Sequence, residues 1–196
     1  YWNNESGKAY NGINNSNVNV NFTSTGLKSD LKKLVDNVKW NLGSLGADSS
    51  ERVPTKTYLL ERNEDSSKKC KNTLSLCNDT VERTTTWTGK VGLMYPSDYG
   101  YATSYDIRNE CLTSSMLDWP DSCNENWMYN VNEQWTLTSY SNASRADLVF
   151  YISNNGNVKG GSGLDNFTVK PTVYLKSSVK IVSGDGSKDN AFVLSE

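Results

Sequence analysis

The sequence contains no histidine. That removes the commonest general base, the commonest metal ligand and every Ser-His or Cys-His nucleophile pair. An enzyme would have to work with lysine or carboxylates, so the expectation is a protein that is not an enzyme. Charge of one sign is also lacking: 20 Lys and Arg stand against 22 Asp and Glu, a net charge of −2. No basic stripe is available to neutralise phosphates, which argues against a nucleic-acid partner. No apolar run approaches the ~20 residues that span a bilayer. The chain opens on Tyr1 without a signal-peptide apolar segment. The expectation is that it has been processed or trimmed, with any export signal or anchor upstream. Hydrophobic residues are sparse at 36%, but aromatics reach 11%, so a few large rings must supply much of the core. The six tryptophans, at 2, 40, 87, 119, 127 and 135, are spread along the chain and imply one shared core.

Cysteine is scarce, and its placement is informative. Cys70, Cys77, Cys111 and Cys123 allow three pairings. Local pairing, Cys70–Cys77 and Cys111–Cys123, is expected, because each pair brackets a polar loop with little apolar content of its own. In the chain-entropy picture each bridge contributes roughly 2.5–3 kcal/mol. Zinc knuckles need two to four residues between ligands; here the gaps are six and eleven. Reduced thiols in a cytosolic protein are the other alternative. The Asn-, Ser-, Thr- and Tyr-rich composition favours an exported surface protein and an extracellular location.

Residues 1–17 read as a loosely packed N-terminal segment before a globular core over 18–196, the whole forming a single extracytoplasmic domain. Val18, Val20 and Phe22 alternate with asparagines, as in a half-buried strand. Leu27, Leu31, Leu34, Val35 and Val38 share one helical face, so the spacing predicts a helix over 27–38, capped by Ser24 or Thr25. Thr57–Arg62 reads as a short strand. Residues 87–95 also read as a strand, broken at Pro96, with Gly89 and Gly92 marking a bulge or close backbone approach. A weaker helix is expected over 107–117. Strands follow at 134–138, 146–152, 168–175, 179–182 and 191–194. Asn154-Asn155-Gly156 marks a hairpin, and Pro171 places its strand at an edge or a bulge. The order is α+β, without the β-α-β alternation of nucleotide folds.

The blocks Trp87-Thr-Gly-Lys-Val-Gly-Leu-Met-Tyr-Pro-Ser-Asp-Tyr-Gly-Tyr-Ala102, Asn126-Trp-Met-Tyr129, Gln134-Trp-Thr-Leu-Thr138 and Val169-Lys-Pro-Thr-Val-Tyr-Leu-Lys176, with the closing Ile181–Asn190 stretch, resemble an uncharacterised family of surface proteins of gut-dwelling Gram-positive bacteria. The resemblance covers roughly residues 35–196. It implies an attachment, in many members, to a prepilin-like N-terminal helix, and hence a pilus or pseudopilus subunit. More loosely, the C-terminal half is similar to the C-type-lectin-like fold shared with formylglycine-generating enzymes and phage tropism proteins. Lys170 stands where that pattern has Arg, and Asn190-Ala-Phe192 where it has Asn-Pro-Tyr, so the chain is a divergent member. The implied fold is two helices on a twisted antiparallel sheet with long disulfide-clamped loops. The reactive-cysteine chemistry of the formylglycine enzymes is not carried over, because the four cysteines read as staples.

Three groups of residues are candidates for function. Tyr99, Tyr101 and Tyr105, with Tyr95, flank Asp98; exposed tyrosines give large contact area at low entropy cost. The alternative is that Tyr95 and Tyr99 pack inward. Trp127, Tyr129 and Trp135 could line a carbohydrate platform or simply fill the core. Asp185, Ser187 and Asp189 alternate as calcium ligands do, but lack the central glycine and terminal Glu of an EF-hand loop. Their alternative is a polar hairpin turn in which Gly184 and Gly186 take positive φ. Asp98 and Asp106 are the carboxylates a hydrolase or transferase would use. Asn-x-Ser/Thr sequons at 4, 14, 21, 78, 142 and 166 are expected by chance in so polar a chain. The composite expectation is a non-catalytic, surface-displayed binding or adhesion module, with a structural filament subunit as the second reading. Its partners would be a glycan or protein of a host or cell surface, or other filament subunits. No cofactor is expected; calcium at Asp185, Ser187 and Asp189 is the alternative to the hairpin turn.

Overall fold

The computed structural model describes residues 27–42, 52–62, 86–140, 147–187 and 189–196. Cys70, Cys77 and the strand expected at Val18–Phe22 lie outside them. The fold is mixed α+β: short helices and small antiparallel sheets, with one disulfide among the described residues.

Helix α1 runs Ser29–Leu34 and strand β1 Val38–Asn41. The predicted helix over 27–38 is thus cut short. Val35 leaves helical geometry to bridge Leu175, and the Asp36 N–H donates to the Tyr174 carbonyl at 2.8 Å. The β-branched Val35 and Val38 suit that extended course. β1 pairs with β2 (Thr86–Gly89), Trp40 opposite Trp87.

Helix α2, Pro54–Glu61, corrects the strand expected at Thr57–Arg62. Pro54 occupies the first turn, where its missing N–H has no helical partner to lose. Thr57 and Glu61, four apart, are both buried on the same face. Strand β3 (Val91–Leu93) then leads directly into α3 (Pro96–Tyr101). Pro96 does end the strand, and it also starts a helix. Asp98 supports that start by accepting the Tyr95 N–H at 2.9 Å.

Helix α4 is Arg108–Thr113, shorter than the 107–117 expected. The Trp119 indole N–H takes the Cys111 carbonyl at 3.0 Å, a carbonyl that a longer helix would use internally. The backbone is extended at Ser114 and resumes as a 3-10 turn at Met116–Asp118, where Ser115 Oγ accepts the Leu117 N–H. Cys111 and Cys123 are both fully buried and joined as the local pairing predicts, with Cα atoms 5.7 Å apart.

The remaining strands are β4 (Gln134–Ser139), β5 (Leu148–Ile152), β6 (Val158–Ser162), β7 (Pro171–Val173), β8 (Lys180–Ser183) and β9 (Val193–Ser195). β4–β5–β6 form a three-stranded meander, β3 pairs with β7, and β8 with β9, all antiparallel. The expected single sheet is therefore divided into small pieces, tied by isolated bonds such as Leu137 N–H to the Met94 carbonyl at 2.8 Å. Pro171 sits in an edge strand, as expected. The β5–β6 turn spans Ser153–Asn157, with Gly156 at φ 82°.

Side-chain alternation divides the core between two faces. Val149 on β5 packs with Trp40, Val91, Leu93, Trp135 and Leu137. Its neighbours Phe150 and Ile152 pack on the other side with Met94, Tyr99, Met116, Trp119 and the disulfide. Gly92 explains the close approach that its position in a strand foretells: a Cβ there would lie 2.8 Å from the Trp40 ring.

Candidate functional site

Every second residue of β4 is polar yet buried: Gln134, Thr136 and Thr138. Buried polar groups need partners, and Thr138 finds Glu61. Its hydroxyl donates to Glu61 Oε1 at 3.0 Å, and the Ser97 N–H donates to Oε2 at 3.2 Å. Glu61 is only 1% exposed. Burial pushes its pKa from 4.5 up to about 7; the hydrogen bond from Ser97 and the Arg62 cation oppose that rise without cancelling it.

Arg62 carries this buried node to the surface. Its Nη2 donates to Asp98 Oδ1 at 2.9 Å, while its Nη1 lies 4.0 Å from Glu61 Oε2. The guanidinium is stacked between two rings, 4.1 Å from the Tyr95 centroid and 4.9 Å from that of Tyr58. Tyr95 is itself locked, donating its hydroxyl to the Asn41 carbonyl and accepting the Asn41 N–H. From Tyr58 the series continues edge-on to Tyr101 at 5.8 Å, and Arg108 lies 5.9 Å from the Tyr101 ring. In the other direction Tyr95 meets Trp40 at 6.4 Å, and Trp40 meets Tyr174 at 5.0 Å. The result is a ladder of rings and guanidinium groups from Tyr174 to Arg108. Tyr58 and Tyr174 are 42% and 43% exposed. Tyrosine and arginine are the side chains that most often dominate binding surfaces.

Two of the predicted ligand residues adjoin this ladder. Tyr101 is one of its rungs. Tyr105, 86% exposed, lies on the turn whose carbonyl accepts the Arg108 N–H. Trp127, 81% exposed, follows Asn126, which bridges Thr103 on the same connection. The Trp127 turn is firmly held: Asn126 Nδ2 donates to the Tyr99 carbonyl, and both Gln134 Nε2 and Lys170 Nζ donate to the Met128 carbonyl.

The other two ligand candidates are corrected to core residues. Tyr99 is fully buried, donates its hydroxyl to the Gly156 carbonyl at 3.0 Å and packs on Trp119. Trp135 is 1% exposed and lies 4.5 Å from the Phe167 ring. Neither presents a surface. Asp185 accepts the Ser187 N–H at 2.9 Å, and Ser187 Oγ accepts the Asn190 N–H. With Gly184 and Gly186 at φ 88° and 82°, these residues form a hairpin turn between β8 and β9, on which Asp189 is also exposed. Among the described residues, no three of Cys, Asp and Glu gather as metal ligands. Asp106 stands exposed on the turn after α3, whereas Asp98 is taken by Arg62; the carboxylate that shares Arg62 with Asp98 is Glu61.

Glu61, Arg62, Tyr58 and Arg108 were not anticipated. Tyr58 and Arg62 are four residues apart, neighbours only on a helix, and Pro54 was the available sign of one. Comparisons of the chain with protein-family models, with curated proteins and with solved structures each return no match. The described residues form a mixed α+β fold with one disulfide and an arginine–tyrosine ladder. Among the described residues, no helix is long and apolar enough to cross a membrane.

Proposed function

We propose that this chain is a non-catalytic, surface-displayed binding or adhesion module, the extracytoplasmic head of a pilin-like subunit, built on a divergent C-type-lectin-like scaffold. The observation that carries this reading is the arginine–tyrosine ladder. Large, half-exposed rings are fixed by a buried polar node, so little side-chain entropy is lost when a ligand docks. Two strongly exposed rings, Tyr105 and Trp127, flank the Thr103–Asn126 bridge beside it. The buried disulfide supports an oxidising compartment. Both Glu61 oxygens already accept hydrogen bonds and Asp98 is ion-paired, which supports structural rather than catalytic roles for them. The test is an array of glycans and extracellular proteins probed with the wild-type chain and with Tyr105→Ala and Trp127→Ala. Binding reduced about tenfold or more in a variant, with unchanged melting temperature, supports the reading. Undiminished binding by both variants contradicts it.

A different observation favours a structural filament subunit. Ile181, Val182, Phe192 and Val193 of the β8–β9 hairpin are all at least half exposed. Two-stranded hairpins are marginal alone, and exposed apolar residues at this density suit contacts between copies. On that reading, deleting residues 179–196 abolishes concentration-dependent association measured by light scattering, while Tyr105→Ala leaves it intact.

A further inference from the structure

We infer that the ladder face takes a carboxylate-bearing sugar, with Arg108 receiving the carboxylate and Tyr101 and Tyr105 packing against the pyranose ring. This rests on the binding-module reading above and names the ligand class of the same face.

Charge decides the first half. The two arginines of the ladder are not equivalent. Arg62 is balanced by Asp98 at 2.9 Å and backed by Glu61. Arg108 makes no ion pair among the described residues. Its one polar side-chain contact is to the Tyr101 carbonyl at 3.5 Å, the outer limit of a hydrogen bond. The Tyr101 ring centroid lies 5.9 Å from its guanidinium carbon, and among the described residues the other donors of its planar fork have no protein acceptor. Such a fork matches a carboxylate bidentately, and a guanidinium already resting on a ring loses less freedom on binding. The face therefore carries one balanced cation that stiffens it and one unbalanced cation that can recognise an anion.

The rings decide the second half. Tyr101 is half-buried and Tyr105 is 86% exposed. Each is a flat apolar ring with a phenol hydroxyl at its rim, which suits a pyranose: C–H groups on one side and hydroxyls around the edge. An acidic peptide is the competing anion. Peptides are held along a free strand edge or in a groove, and acidic motifs by clusters of arginines. Arg108 is the one unpaired arginine of the ladder among the described residues, and Tyr101, Tyr105 and Arg108 come from the end of α3, the following turn and the start of α4, not from a strand.

The test is a titration of the full chain, followed by amide chemical shifts, with 3′-sialyllactose, tri-galacturonic acid, lactose and a hexaglutamate peptide. At least one acidic sugar is expected to bind about tenfold more tightly than lactose. Arg108→Gln should remove that preference, so that the acidic sugars bind no more tightly than lactose does to the same variant, while Arg108→Lys keeps part of it. An unchanged melting temperature certifies each variant as folded. Equal affinity for lactose and both acidic sugars overturns this inference and leaves the binding-module reading standing. Binding of hexaglutamate alone overturns the sugar class. A chain that binds none of the four probes and nothing on the arrays overturns both.

Discussion

Glu61 gives the sharpest energetic test of the buried node beneath the ladder. In the folded chain its carboxyl is raised from 4.5 to about 7, burial being the main cause. Below pH 4.5 both folded and unfolded chains hold the proton. Between 4.5 and about 7 the folded chain keeps it while the unfolded chain has lost it, so rising pH favours unfolding. Above 7 both are ionised, and the fold carries the full cost of a buried carboxylate, on the order of 3 kcal/mol. The perturbation is Glu61→Gln, which stays neutral at every pH. Its amide oxygen can accept the Ser97 N–H and its amide NH2 can face the Thr138 hydroxyl, which then accepts. The assay is urea denaturation of both proteins from pH 4.5 to 8.5. The chain has no histidine to titrate in that window, and carboxylates common to both proteins cancel in the difference. Wild type should lose about 2–3 kcal/mol relative to the variant between pH 5 and 8, with the variant the more stable at the alkaline end. A wild-type-minus-variant difference that stays flat, or that grows in favour of wild type as pH rises, would refute the reasoning.

The packing and cross-links give three further expectations. Gly92→Ala drives a methyl to within 2.8 Å of the Trp40 ring, and should destabilise the chain by about 1–3 kcal/mol in the same assay. Replacing Cys111 and Cys123 together by Ser should cost about 3 kcal/mol, and this pair should resist alkylation in denatured, unreduced protein, as peptide mapping would show. Tyr99→Phe removes the hydroxyl that reaches the Gly156 carbonyl at 3.0 Å; a loss of about 1–2 kcal/mol is expected, with no change in ligand binding, because Tyr99 is buried.

What could be read in the sequence was local. Asn155-Gly156 announced the β5–β6 turn, Gly92 a close approach, Pro171 an edge strand, and the spacing of Cys111 and Cys123 their pairing. Each signal is a property of a few adjacent residues. The errors arose where tertiary pairing overrode periodicity. Val35 and Val38 lie on the apolar face of a plausible helix, but bridging by Leu175 and pairing by β2 draw them into extended backbone. α2 is hidden in the sequence because Thr57, Tyr58, Leu59 and Leu60 suit a strand equally well, and only Pro54 tips the balance. The ladder itself was not legible. Its members come from residues 40, 58, 62, 95, 101, 108 and 174, and no sequence spacing brings them together. Tyr99 and Trp135 show the converse limit: composition marks an aromatic residue as important without saying whether it faces a ligand or the core.

On the proposed reading, the arginine–tyrosine ladder and the exposed rings beside it are where this chain meets its partner. The most direct measurement compares wild type with a Tyr105→Ala, Arg108→Gln double variant on one array of glycans and surface proteins, with matched melting temperatures. The strongest wild-type signal is expected to fall about tenfold or more in the double variant and to survive deletion of residues 179–196. A signal that persists in the double variant and disappears with the hairpin would contradict it, and would move the functional surface to β8 and β9.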